Sequence, residues 1–197
     1  MISRIAIDLD GVVFDTIRRV CELYNEDFQY YDNFTPIKPE QVNTWDFLEM
    51  DLATESYFTN IFCQPRFFSK LKIMDCAKWI IGMLDKEYEV IFVSKGNPAN
   101  IKLKEIWLQK NLPYGKCIGV PIQQSKSIVD LSDAILIDDM SQNLIESNAK
   151  IKIMFGKLFP WNEDWNGIHC ENWSEVYGVV KEVNKSDGDQ VQKSCGD

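Results

Sequence analysis

The sequence has a single histidine, no pair of cysteines at zinc-site spacing and no excess of basic residues. It also has no apolar stretch near the roughly 20 residues that cross a bilayer. Each absence excludes something. Lys and Arg number 21 against 30 Asp and Glu, a formal net charge of -9. A protein that coats nucleic acid by neutralising phosphates needs a basic face, so no stable nucleic-acid complex is expected. The six cysteines, Cys21, Cys63, Cys76, Cys117, Cys170 and Cys195, lie scattered, with only His169 to join them. That pattern suits reduced thiols rather than a zinc site or a disulfide framework. The opening MISRIAIDLD enters a strand pattern at once, without an apolar segment of signal-peptide type. A soluble, cytoplasmic protein with no membrane partner and no internal repeat is expected.

What is present suits one globular core. The chain has 197 residues, 45% of them hydrophobic and 26% charged, enough for one sizeable domain with a small insertion. ISRIAIDL, YEVIFVS, CIGVP, AILID and KIKIMF are short, rich in Ile and Val, and nearly free of charge, as strands buried on both faces are. CAKWIIGMLDK, NIKLKEIWLQKN and SQNLIESNA carry apolar residues three and four apart and predict helices between them. A last helix around 174–183 follows Asn172, which with Glu175 resembles a capping box. Strands separated by helices imply right-handed crossovers. The expectation is an α/β fold with a doubly wound parallel sheet, its core formed by residues 1–20 and 73–184. Residues 21–72 are aromatic-rich, contain Pro36, Pro39 and Pro65, and are too long for an ordinary connection. They predict an inserted helical cap with a small core of its own. The polar stretch at 185–197 predicts a frayed tail.

Ligands of open α/β sheets bind at the carboxyl ends of the strands. Here those ends carry Asp8, Asp10 and Gly11 after the first strand, Ser94, Lys95 and Gly96 after the second, and Asp138 and Asp139 after AILI. Close carboxylates repel unless a cation offsets them. A hard divalent ion, most simply Mg²⁺, resolves the conflict and leaves room for a phosphate oxygen. The chemistry expected is phosphoryl transfer. Taken singly these residues have plainer readings: acidic pairs after a strand are often solvated turns or caps, Ser94 can cap the next helix, and a lysine in a polar loop is usually solvated.

DLDGVVFDT resembles the first motif of the haloacid dehalogenase superfamily, FVSKG the second, Lys126 in QQSKSIVD the third and LIDD the fourth. Within that superfamily the chain is similar to the 5'(3')-deoxyribonucleotidases, which place a helical cap after the first motif and close with a short strand and a helix. The resemblance implies a Rossmann-like core and roles for particular residues. Asp8 would be the nucleophile and Asp10 the acid and base. Mg²⁺ would be held by Asp8, Asp138 and the backbone carbonyl of Asp10, with Asp139 supporting it. Ser94 and the backbone amides of Lys95 and Gly96 would hold the phosphoryl group, and Lys126 would supply positive charge. A small phosphorylated substrate, such as a nucleoside monophosphate, is implied.

The chain departs from that family where Thr16 follows Asp15, a place usually held by an aromatic, and where Lys95 and Gly96 stand for a small residue and proline. Phe28, Tyr30, Trp45 and Phe47 are among the cap aromatics available to stack on a base. The alternatives are the same chemistry on another small phosphate ester or a nucleic-acid end, and a binding module that has lost catalysis.

Overall fold

In the computed structural model, which describes residues 2–194 and the side chains of 2–184, the apolar run after Ser3 forms β1 (Arg4–Ile7). Ile5 and Ile7 enter one apolar layer and Ala6 the opposite one. The alternation recurs in β2 (Glu89–Gly96), β4 (Ala134–Asp138) and β5 (Ile151–Phe155), where Phe92, Ile137 and Ile153 share the first layer and Ile91, Leu136 and Met154 the second. Burial on both faces is what parallel strands require. With β3 (Lys116–Pro121) and β6 (Ile168–Cys170) at the edges, the sheet runs β3-β2-β1-β4-β5-β6 and is parallel throughout. The edge strand β6 has three residues, a length at which no period is readable in sequence.

Ile7 of β1 registers with Phe92 of β2 on one side and with Ile137 of β4 on the other. The chain winds outward through β2 and β3 and then returns to β4, so the strand order reverses beside β1. That reversal opens the crevice in which such sheets bind ligands.

Helix α1 (Thr16–Phe28) crosses the boundary expected after residue 20, and α2 (Glu55–Ile61) and α3 (Pro65–Ser69) follow it. Short 3-10 turns at Pro39–Gln41 and Phe47–Met50 fill the stretch between. Phe47, Phe58 and Phe67 of this stretch are buried in the same apolar layer as Phe92. Arg19, buried on α1, donates to the carbonyls of Phe67 at 3.0 Å and Arg66 at 2.8 Å. Asn25 exchanges two 2.9 Å hydrogen bonds with the backbone of Ile37. These bonds give buried polar groups partners along a path that has little periodicity to hold it.

The remaining helices are α4 (Ala77–Leu84), α5 (Pro98–Asn111), α6 (Ser141–Glu146) and α7 (Trp173–Ser194). Asn97 caps α5 by accepting the Asn100 amide at 2.9 Å, with Pro98 in the first turn. At α7, Asn172 accepts the Glu175 amide at 3.1 Å, while the Glu175 carboxylate takes the amide of Glu171 at 2.7 Å. Trp173 donates its indole N–H to the Val12 carbonyl at 3.0 Å, tying α7 to the loop after β1. The tail expected from residue 185 falls on side chains outside the described set, although the backbone of α7 continues to Ser194. The five cysteines among the described residues are free, and Cys195 lies outside them. His169 Nε2 lies 2.6 Å from the Gly156 carbonyl, a structural contact between strand ends.

Candidate active site

Parallel register brings Asp8, Ser94 and Asp138 together at the carboxyl ends of the central strands β1, β2 and β4. The Asp8 amide continues the β1–β4 ladder by donating to the Ile137 carbonyl at 2.9 Å. The chain then turns at Gly11, whose φ of +76° favours glycine. A Cβ there would lie 2.2 Å from Oδ2 of Asp139, so the glycine also makes room for a carboxylate. One oxygen from each of Asp8, Asp138 and Asp139 falls within 4.8 Å of the others, and all three residues are buried. Burial pushes the Asp8 carboxyl up to about 7, against the pull of Lys126. Burial, and then the charges of Asp138 and Asp8, hold Asp139 well above the ordinary carboxylate range.

Two buried lysines divide the acidic groups between them. Lys126, 1% exposed, places Nζ 2.6 Å from Oδ1 of Asp8 and 2.5 Å from Oδ2 of Asp138. Burial alone would lower its ammonium; Asp138 and Asp8 outweigh that and raise it above the usual lysine value. Oδ1 of Asp138 accepts from the Met140 amide and from Asn143 Nδ2, each at 3.0 Å. Asn162 donates to the Asp139 carbonyl at 3.1 Å. The second lysine, Lys104, reaches from α5 to Oδ2 of Asp10, to Ser94 Oγ at 2.8 Å and to the Lys95 carbonyl at 3.1 Å. Thr16 donates to the other Asp10 oxygen at 3.1 Å.

Asp8, Asp10, Lys95, Gly96, Lys126 and Asp139 therefore line one cavity of about 600 Å³, with Ser94 fully buried behind it and Asp138 beneath Lys126. The Asp10 side chain stands apart from the compact acidic group and faces Lys104 and Thr16. Trp45 and Phe47 line the cavity, whereas Tyr30 is 88% exposed and Phe28 packs on Tyr24 and Tyr57. Lys104, Thr16, Asn143 and Asn162 were absent from the candidates read in the sequence. Lys104 does carry a signal there: with Asn100, Trp107 and Leu108 it falls on one helical face, and all four are buried.

The family described as "5' nucleotidase, deoxy (Pyrimidine), cytosolic type C protein" matches residues 1–186. A Staphylococcus epidermidis protein named "Putative 5'(3')-deoxyribonucleotidase" is 28% identical over 185 residues, covering 93% of this chain and 98% of its own. Among solved structures, a "predicted phosphatase" from Clostridium acetobutylicum is similar with a TM-score of 0.69 at 13% identity, over 92% of this chain and 99% of that one. The "putative HAD-hydrolase YfnB" from Bacillus subtilis, solved bound to magnesium, has a TM-score of 0.57 at 13% identity over 91% of this chain and 98% of that one. At such identities these two speak for the fold.

Proposed function

This chain belongs to the family of cytosolic type C 5'-nucleotidases, phosphatases of the haloacid dehalogenase superfamily, and we propose that it hydrolyses nucleoside monophosphates, deoxyribonucleotides foremost, with Mg²⁺ and a transient phosphoryl group on Asp8. Cytoplasmic action on a free nucleotide belongs to the same reading, and among the described residues no helix is long and apolar enough to cross a membrane.

The observation that carries the proposal is the unequal setting of two aspartates on one cavity. Asp8 sits in the buried acidic group beside Lys126, and Asp10 is held separately by Lys104 and Thr16. In the first step an Asp8 oxygen bonds to phosphorus as the bond to the leaving oxygen breaks, and Asp10 gives that oxygen its proton. In the second step water attacks the same phosphorus, Asp10 takes the water's proton, and inorganic phosphate leaves with Asp8 restored. Ser94 and Lys126 supply hydrogen bonding and positive charge beside the phosphoryl group.

The donor set suits a hard divalent cation. Within the compact group of Asp8, Asp138 and Asp139 only Lys126, among the described residues, forms an ion pair, with Asp8 and Asp138, and all the side-chain donors that the three residues offer are oxygens. Asp8, Asp138 and Asp139 would hold Mg²⁺, which when bound supplies charge neutralisation to the phosphoryl oxygens.

The aromatic wall of Trp45, Phe47, Phe58 and Phe62 suits a planar base, and the cavity is of small-ligand size. The test is phosphate release from a panel of nucleoside monophosphates and sugar phosphates. Nucleoside monophosphates should give the highest kcat/KM; a sugar phosphate that exceeds them would replace the nucleotide assignment.

A further inference from the structure

We propose that Lys104 is a positioning residue that fixes the carboxylate of Asp10 in the orientation for proton transfer and sets the polarity of the Ser94 hydroxyl. The inference rests on the acid and base role given to Asp10 above.

An ammonium has three N–H donors. Lys104 spends one each on Asp10 Oδ2, Ser94 Oγ and the Lys95 carbonyl. None is left for a substrate oxygen, so Lys104 acts on other side chains and not on the phosphoryl group. With Thr16 holding Oδ1 at 3.1 Å, both oxygens of Asp10 are constrained. A carboxylate so held has lost the rotation that proton delivery along a single line would otherwise have to overcome. Ser94 is fully buried and accepts from Lys104. Its one proton is therefore directed away from Lys104.

The helix that carries Lys104 is anchored on both sides of it. Asn100 Nδ2 donates to the Phe62 carbonyl at 2.7 Å, and Trp107 packs edge-on against Phe14 with ring centroids 4.7 Å apart. Phe14 closes the loop that bears Asp10. Lys104 is 2% exposed, and an unpaired ammonium at that depth would be strongly disfavoured. Its partners are therefore needed by the fold and by the chemistry together, and a test has to separate those two needs.

Leaving-group dependence does so. A nucleoside leaves as a poor alkoxide and needs its proton from Asp10, whereas 4-nitrophenolate departs without one. Because kcat/KM reports steps through the first irreversible one, slow hydrolysis of the phosphoenzyme does not obscure the comparison. Lys104→Met should lose about 100-fold or more in kcat/KM on a nucleoside monophosphate, the scale of lost acid catalysis, and at least tenfold less than that on 4-nitrophenyl phosphate. Asp10→Asn should show the same bias. Lys104→Arg, whose planar fork cannot fan onto three acceptors, should show it more weakly, and it supplies the ratio if the Met variant does not fold. Equal losses on both esters in the Lys104 variants, with the bias kept in Asp10→Asn, would overturn the positioning role alone. Equal losses in Asp10→Asn as well would overturn the acid role of Asp10 and this proposal with it.

Discussion

Lys126 Nζ lies 2.6 Å from Oδ1 of Asp8, and neither side chain has appreciable access to water. The lysine also bridges to Asp138 at 2.5 Å, so one ammonium keeps two buried carboxylates ionisable at the place where both are needed. Removing one partner of such a group is worse than never having built it. Lys126→Met should therefore reduce kcat/KM by about 100-fold or more. In metal-free buffer it should lower stability by about 3 to 5 kcal/mol, the scale of a buried pair broken from one side. Urea denaturation with and without Mg²⁺ reads this, and unchanged midpoints would contradict the pairing.

The two aspartates of the first motif should fail differently. Asp8→Asn removes the attacking oxygen, so rapid-quench trapping should find no acid-stable phosphoprotein and no turnover. Asp10→Asn leaves the phosphoryl site assembled and should slow turnover by about 100-fold or more. Equal activity in Asp8→Asn and the parent protein would end the nucleophile assignment.

The acidic residues were legible because each follows an apolar strand directly, and a parallel sheet gathers its strand ends. Asp8 and Asp138 needed no knowledge of the loops. Lys126 was placed by motif order; its own surroundings, QQSKSIVD, look like solvated loop, and the 3-10 turn Lys126–Ile128 that buries it has no sequence period. Lys104 is not among the sequence candidates, because Lys102 and Lys110 share its helix and only helical phase distinguishes it. In the cap, Trp45 and Phe47 reach the cavity while Tyr30 does not, a division set by turns and by side-chain anchors such as Asn25.

Removing the divalent ion should stop turnover, and Mg²⁺ should restore it. Asp138→Ala should raise the Mg²⁺ requirement by tenfold or more, on the usual scale of a disturbed metal ligand shell. Ca²⁺ should support turnover poorly, since its longer and looser bonds misplace the attacking carboxylate. Full activity in excess chelator would exclude the metal.

Without metal, stability should fall as pH rises through the acidic range. Burial pushes Asp8 up to about 7, above the value of about 3.9 for an unfolded aspartate. Between those values the folded protein keeps a proton that the unfolded chain has lost. Stability then declines with rising pH by up to about 1.4 kcal/mol per unit for each such proton. Asp139, also raised, adds to the slope. Denaturant midpoints from pH 4 to 7 in chelator should show the decline, and Asp8→Asn should flatten it. An identical slope in that variant would place the buried proton elsewhere.

On the proposed reading, the aromatic residues of the 21–72 stretch that line the cavity distinguish a nucleotide from any other phosphate ester. The acidic group acts on phosphorus and senses little of what the phosphate carries, so discrimination falls to the far wall of the cavity. Trp45 and Phe47 meet at 6.1 Å between centroids, nearly perpendicular, and Phe47 stacks on Phe58 at 5.3 Å. Phe47 is buried and so packs the segment as well as lining the cavity, whereas Trp45 is half-buried and has more of its surface to offer a base. Trp45→Ala should thus lower kcat/KM for nucleoside monophosphates by about 10- to 100-fold, as loss of one base–aromatic stack of about 1 to 3 kcal/mol allows, and change 4-nitrophenyl phosphate by less than about threefold. Phe47→Ala should do the same with an added loss of stability of about 3 to 5 kcal/mol, visible as a lower Tm. If both variants slow both esters equally, these rings pack the segment and do not read the base, and the nucleotide assignment loses its structural support.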